Sequence, residues 1–171
     1  GGSMTRAVRA NLSACLALVL AIFALYGPGV DAPFLHEWDD SLFIVENPLL
    51  EPTGKNVAHL FLNPFDSIYI PLPMLSLALD RSLFGLNPIP FRVHALLLFC
   101  GCAVLLFLLM REFGANAAFA FAGAALWALN PQKLESVAWL SERKDLVSGV
   151  LVFASVLCFV RSIRRGRIPY A

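Results

Sequence analysis

The chain has 171 residues, of which 58% are hydrophobic and only 15% are charged. Soluble domains carry about 45–50% apolar and about 25% charged residues, and the mean hydropathy here is +0.72, so the composition excludes an ordinary soluble domain and predicts an integral membrane protein. The formal net charge is +1, and the arginines stand beside apolar runs instead of on a basic polar face, which argues against nucleic-acid binding.

The first predicted element is a membrane-spanning helix over residues 7–26. The three residues ahead of Met4 are interpreted as a cloning remnant outside the fold. A span needs about 20 apolar residues, and this run reaches that length before the helix-breaking Gly27-Pro28-Gly29. A cleaved signal peptide is the alternative, but its apolar region has about 7–15 residues, so we expect a retained anchor.

A long polar segment, residues 28–90, follows this helix and is expected to contain one or two short helices. One is predicted over residues 55–61, with Thr53 as its N-cap. The other covers residues 71–84, which are apolar but too few to cross a membrane. We expect these helices to lie at the membrane interface or to pack on the helix bundle.

Three further spans are predicted over residues 91–110, 115–129 and 146–160, with a second polar segment over residues 130–145. Small residues let helices approach closely in lipid, so the Ala-rich face of residues 117–125 is expected to pack on a partner subunit or on a second copy of the chain. The predicted fold class is an all-α membrane protein with four transmembrane helices and a long outer-face loop that carries one or two interfacial helices.

The arginines predict the orientation of these helices. They flank the start of the first span and the ends of the second and fourth: Arg6, Arg9, Arg111, Arg161, Arg164, Arg165 and Arg167. With four spans these places share one side, which the positive-inside rule makes cytoplasmic. Of the 12 acidic residues, only Glu112 falls there. The sequence therefore predicts a protein of the bacterial inner membrane or endoplasmic reticulum, with both termini cytoplasmic and both polar segments on the outer face.

Two adjacent carboxylates, Asp39 and Asp40, follow Trp38 just beyond the first span. A carboxylate at this place can deprotonate an acceptor hydroxyl, whereas a solvated or helix-capping acidic pair explains the same residues without any chemistry. With His36 and Glu37 they leave open a site for a divalent cation, although adjacent residues rarely supply a full ligand set alone. No other cofactor is predicted.

Motifs in both polar segments occur in a characteristic order. They are Trp38-Asp39-Asp40, Asn47-Pro48, Tyr69-x-Pro71-Leu72, Leu83-Phe84-Gly85-Leu86-Asn87-Pro88, Phe91-x-x-His94 and Glu135-Ser136-Val137-Ala138-Trp139-x-x-x-Arg143-Lys144-Asp145. This ordered set resembles the N-terminal part of the membrane glycosyltransferases of the GT-C class. In particular it is similar to the tetratricopeptide-repeat-bearing, O-mannosyltransferase-like proteins, the transmembrane-and-TPR family. The resemblance covers about residues 10–160.

The resemblance implies a glycosyltransferase module that passes a mannose-like sugar from a polyprenyl-phosphate donor to a hydroxyl of a protein or glycan acceptor. The transfer would take place on the outer or lumenal face, with Asp39 or Asp40 as catalytic base. The candidate substrate- and phosphate-binding side chains are Arg143, Lys144, Glu135 and His94. Guanidinium and ammonium groups are expected at such a site because they bind phosphate well.

Family members have many more spans, followed by helical repeats, than these 171 residues hold. The chain is therefore expected to be a partial module that lacks robust activity without a partner subunit or further helices. The alternative is a non-catalytic fragment, or a membrane assembly or scaffold protein that retains the fold. A transporter or channel is disfavoured because the predicted spans contain almost no ionisable residues.

Overall fold

The computed structural model describes residues 2–36 and 38–166, with side chains from residue 6 onward. Glu37 and Arg167, which the sequence analysis uses, lie outside the described residues. Within the described part the chain is helical and forms no strand, apart from an isolated bridge between Phe65 and Ile68. The predicted all-α class is therefore confirmed.

Seven α-helices occur in the described residues: α1 Gly2–Tyr26, α2 Gly54–Leu62, α3 Pro71–Phe84, α4 Pro88–Glu112, α5 Ala117–Ala128, α6 Lys133–Ala138 and α7 Arg143–Arg164. A π-helical turn, Ser41–Val45, lies in the first polar segment, and a 3₁₀ turn, Leu140–Glu142, precedes α7. Asparagine or threonine side chains cap several helix starts. The Thr53 side chain accepts a hydrogen bond from the backbone N–H of Asn56, as its predicted position at the N-cap requires.

Three described helices are long and apolar enough to cross a membrane: Arg6–Gly29, Pro88–Glu112 and Leu140–Arg164. Helix α5 has 12 residues, about 18 Å at 1.5 Å per residue, which is short of the roughly 30 Å hydrocarbon core. The membrane character of the chain agrees with the sequence analysis, whereas the count of four spans stays a prediction.

Contacts between helix ends show an up-and-down arrangement. The Tyr26 hydroxyl donates to the carbonyl of Ala128 at 2.9 Å, which joins the ends of α1 and α5. Arg161 donates to Glu112 at 2.7 Å, which joins the ends of α7 and α4. At the same end as the Arg161–Glu112 contact, Arg111 donates to Asn11 near the start of α1. Helices α1 and α5 therefore run one way, and α4 and α7 run the other.

The bundle has two distinct ends, which we name by what they carry. The loop end, marked by Tyr26 and Ala128, carries both polar segments and the start of α7. The arginine end, marked by Asn11, Glu112 and Arg161, carries the start of α1 and the end of α7. Helix α3 packs on the loop end and buries Met74 and other apolar side chains there.

Small residues allow close helix packing. A Cβ atom added to Gly149 of α7 would lie 2.9 Å from the Cys102 sulfur of α4, so these two helices touch at that point. On α5, the small residues Ala120, Ala124 and Ala128 are completely buried inside the chain. Part of the Ala-rich face that was expected to meet a partner therefore packs internally, because these side chains turn toward α1 and α4. Self-association stays a prediction.

Candidate functional site

Asp40 links the two polar segments at the loop end. One of its carboxylate oxygens accepts from the backbone N–H of Leu35 at 3.0 Å. The other accepts from the N–H of Ser141 at 3.0 Å and from the Ser141 hydroxyl at 2.5 Å. The residue is 0% exposed, so the alternative of a solvated acidic pair does not apply to Asp40. Its carboxylate thereby joins the first polar segment to Ser141, which lies 101 positions after Asp40 in the chain.

Asp39, its neighbour, is exposed. Its backbone carbonyl accepts from the N–H of Phe43 at 2.8 Å at the start of the π-helical turn. Among the described residues, no side-chain hydrogen bond or ion pair involves its carboxylate. The buried Asp40 and the exposed Asp39 therefore differ in their surroundings, and the Asp39 side chain faces solvent.

Arg92 forms a second link across the loop end. This side chain is 4% exposed. It donates to the carbonyls of Ala32 at 2.8 Å and Pro33 at 2.5 Å in the first segment, and to that of Ala138 at 2.5 Å in the second. The sequence analysis did not select Arg92. A lone cation close to the start of a predicted span was the available signal, since such a residue usually has a specific partner.

Asp80, Arg143 and His94 form a buried polar cluster between α3, α4 and α7. The guanidinium of Arg143 pairs with Asp80 and also donates to the carbonyl of Phe91 at 2.8 Å. The His94 Nδ1 atom lies 2.9 Å from the other Asp80 oxygen. Asp80 was not selected from sequence, although a carboxylate in a largely apolar stretch was the signal for it.

Burial separates the predicted phosphate-binding residues. Arg143 is 0% exposed and its guanidinium is occupied by Asp80 and backbone carbonyls, so it cannot reach a ligand at the surface of this arrangement. Lys144 is 28% exposed and pairs with Glu142 at 2.6 Å. His94 is 33% exposed. Lys144 and His94 are therefore more accessible to solvent than Arg143.

An aromatic groove includes Trp38, the residue that directly precedes Asp39 in the chain. Its eight lining residues are Leu35, Trp38, Pro131, Gln132, Leu134, Glu135, Ala138 and Trp139. The groove encloses about 410 Å³, within the range of ligand pockets, roughly 300–1,000 Å³. The rings of Trp38 and Trp139 meet edge to face, with centroids 5.1 Å apart. The predicted site residue Glu135 is exposed at this groove.

The candidate cation site near His36 is not assembled in the described residues. There, no group of three His, Cys, Asp or Glu side chains is placed to hold a metal ion. His36 is exposed and lies 3.5 Å from the Ser41 hydroxyl, while Asp40 turns inward to Ser141. The neighbouring Glu37 lies outside the described residues.

Comparisons with curated proteins find relatives of one kind. The chain is 32% identical over 154 residues to Protein O-mannosyl-transferase TMTC1 of Mus musculus and 30% identical over 154 residues to that of Homo sapiens. It is 31% identical over 163 residues to Protein O-mannosyl-transferase Tmtc1 of Drosophila melanogaster. These matches cover 82% of the chain for the first two relatives and 89% for the third. The similarity to O-mannosyltransferase-like membrane proteins, predicted from the ordered motifs, is confirmed.

The chain spans only 16%, 17% and 18% of the length of these three relatives. No family model matches the chain. No solved structure matches it.

Proposed function

We propose that this chain is part of a membrane glycosyltransferase, in which it forms a site that transfers a mannose-like sugar to an acceptor hydroxyl. The donor is a polyprenyl-phosphate sugar, the acceptor is a protein, and the fold is of the GT-C class. The names of the relatives support the sugar and the type of acceptor. The membrane-length helices support a donor held in lipid.

In the proposed reaction, the acceptor oxygen attacks the anomeric carbon of the donor sugar. The Asp39 carboxylate takes the hydroxyl proton as the new C–O bond forms. The bond between the anomeric carbon and the phosphate oxygen breaks, and the polyprenyl phosphate leaves with the bonding electron pair. A positioned base of this kind contributes about 10²–10⁴-fold to the rate.

The observation that carries this proposal is the difference in burial between Asp39 and Asp40. Asp40 is buried and fixed by Leu35 and Ser141, so it holds the turn in place. Asp39 is exposed on that fixed turn. A reactive carboxylate on a rigid support satisfies the general requirement for precise positioning of a catalytic group.

For the departing phosphate, Lys144 and His94 replace the wholly buried Arg143 as proposed binding groups. Lys144 is the second residue of α7, and it remains partly exposed while it is paired with Glu142. His94 is fixed by Asp80, which Arg143 in turn neutralises. Arg143 therefore acts on the site through His94 and Asp80, as a positioning residue.

The proposed orientation places the loop end on the outer or lumenal face and the arginine end in the cytoplasm. The arginine end carries Arg111, Arg161 and Arg164 on helices α4 and α7, as the positive-inside rule requires. The endoplasmic reticulum is the proposed compartment, since the relatives come from animals. The alternative is a non-catalytic fragment or assembly protein with the same fold.

Transfer of mannose from polyprenyl-phosphate mannose to a Ser- and Thr-containing peptide tests the proposal. We expect Asp39→Asn to lower the rate by about 10²–10⁴-fold in membranes that contain the chain together with its native partners. Asp31→Asn is the matched control, because Asp31 is also an exposed acid of the first polar segment. Equal loss in both variants, or full activity of Asp39→Asn, would contradict the assignment of the base. An inactive wild-type chain would favour the non-catalytic alternative.

A further inference from the structure

The Trp38–Trp139 groove has a chemistry that differs from that of a phosphate site. Its lining contains two indole rings, the Gln132 amide and the Glu135 carboxylate, and no cation among the described residues. A carboxylate repels a phosphate group at short range. The groove therefore does not fit the charged head of the donor, and it favours a neutral or cationic occupant.

The sequence adjacency of Asp39 to the groove residue Trp38 indicates which substrate enters the groove. Trp38 lines the groove and directly precedes Asp39 in the chain. The base removes a proton from the acceptor, so the acceptor and not the donor phosphate must lie beside Asp39. We propose that the groove binds the acceptor polypeptide as an extended segment, with a basic residue near the Ser or Thr that receives the sugar. This inference rests on the proposed function.

Each part of the groove has a defined task in this proposal. The exposed ring of Trp38, which is 60% exposed, packs on the aliphatic parts of the peptide. Glu135 pairs with the cationic side chain of the peptide. The indole N–H of Trp139 is buried without an acceptor among the described residues, and a buried donor of this kind gains stability from a partner. In this proposal a peptide carbonyl supplies that partner, and its entry must move the side chains that cover the indole N–H.

Peptide binding tests the proposal without requiring catalysis. Two Ser- and Thr-containing peptides are compared, one with a neighbouring Lys and one with a neighbouring Glu. Binding is followed by indole fluorescence in a Trp127→Phe background, so that only Trp38 and Trp139 report. We expect the Lys peptide to bind more tightly than the Glu peptide. We expect Trp38→Ala to weaken binding of the Lys peptide by about 2- to 10-fold.

Two further variants separate a local effect from a general one. Glu135→Gln is expected to remove the preference for the Lys peptide, with a loss of up to about fivefold in its affinity. Leu126→Ala is the control, because Leu126 is 76% exposed on α5 and does not line the groove. It should leave binding unchanged. Binding to Trp38→Ala is measured by calorimetry instead of fluorescence, because this variant has lost one of the two reporting indoles.

The outcomes distinguish this proposal from the proposed function. Equal binding of both peptides, or unchanged binding in Trp38→Ala and Glu135→Gln, would overturn the acceptor groove. Binding of polyprenyl phosphate that is weakened by Trp38→Ala would also overturn the acceptor groove, since the donor would then be the occupant. Selective peptide binding with no sugar transfer would instead overturn the enzymatic function and leave a peptide-binding surface.

Discussion

The two ends of the helix bundle place charged side chains in different environments. At the loop end, Asp80 and Arg143 pair while 4% and 0% exposed. At the arginine end, Arg161 pairs with Glu112 at 2.7 Å while 41% exposed. Breaking a buried ion pair leaves an uncompensated charge and is strongly destabilising, whereas an exposed pair contributes about 0–1 kcal/mol. Burial, more than the number of charges, therefore sets the energetic importance of each end.

Removal of Arg143 should have the largest effect on stability. In Arg143→Leu, the buried Asp80 loses its cation and keeps only His94 among its described side-chain partners. We expect a loss of about 3–5 kcal/mol in the free energy of unfolding. Thermal and denaturant unfolding in detergent measures it.

The double variant Asp80→Leu with Arg143→Leu is the control for that experiment. It removes both charges, and apolar replacement of a whole buried pair is often neutral. We expect it to be more stable than Arg143→Leu alone. A double variant that is less stable than the single one would show that other contacts of Arg143, such as the one to Phe91, determine its effect.

A substitution between uncharged residues tests the packing between α4 and α7. In Gly149→Ala, the new methyl group would lie 2.9 Å from the Cys102 sulfur, so we expect a loss of about 1–3 kcal/mol from overpacking. Cys102→Ala in the same chain should restore part of it. Gly101→Ala is the control, because its Cβ would make an ordinary 3.6 Å contact with Val150. Equal effects of the two glycine variants on the unfolding midpoint would contradict the close contact.

Removal of the acid at the arginine end should have the smallest effect. Glu112→Gln breaks contacts of 2.7 Å with Arg161 and 3.7 Å with Arg164, both of which are partly exposed. We expect a loss below about 1 kcal/mol, reduced further by salt. Unfolding at low and high ionic strength measures it. A loss as large as that of Arg143→Leu would end the distinction between the two ends.

The helices could be predicted from local patterns in the sequence. Apolar runs and breakers placed a helix over residues 71–84, where α3 lies, and spans over residues 91–110 and 146–160 within the longer α4 and α7. These features depend on neighbouring residues and on the length that a bilayer requires. Such patterns do not include the polar turns at helix ends, which is why the observed helices extend beyond the predicted spans.

The candidate site was predictable only in part. Adjacent carboxylates at Asp39 and Asp40 drew attention to this turn, but the sequence could not show which of them is buried. That depends on Ser141, a residue 101 positions away, and such a contact exists only after the segments pack. The role of Arg143 was obscured for the same reason, because its partner Asp80 lies 63 positions earlier.

Asp40 joins the two polar segments of the loop end, whereas the Asp39 carboxylate is exposed and has no hydrogen bond among the described residues. Unfolding of Asp39→Asn and Asp40→Asn, measured side by side in detergent, tests this difference most directly. In Asp40→Asn an amide NH₂ group replaces one carboxylate oxygen, so at least one of the three donors on Leu35 and Ser141 loses its acceptor, and we expect a loss of about 1–3 kcal/mol. Asp39→Asn should change stability by less than about 0.5 kcal/mol. Equal losses in the two variants, or a larger loss in Asp39→Asn, would contradict the account.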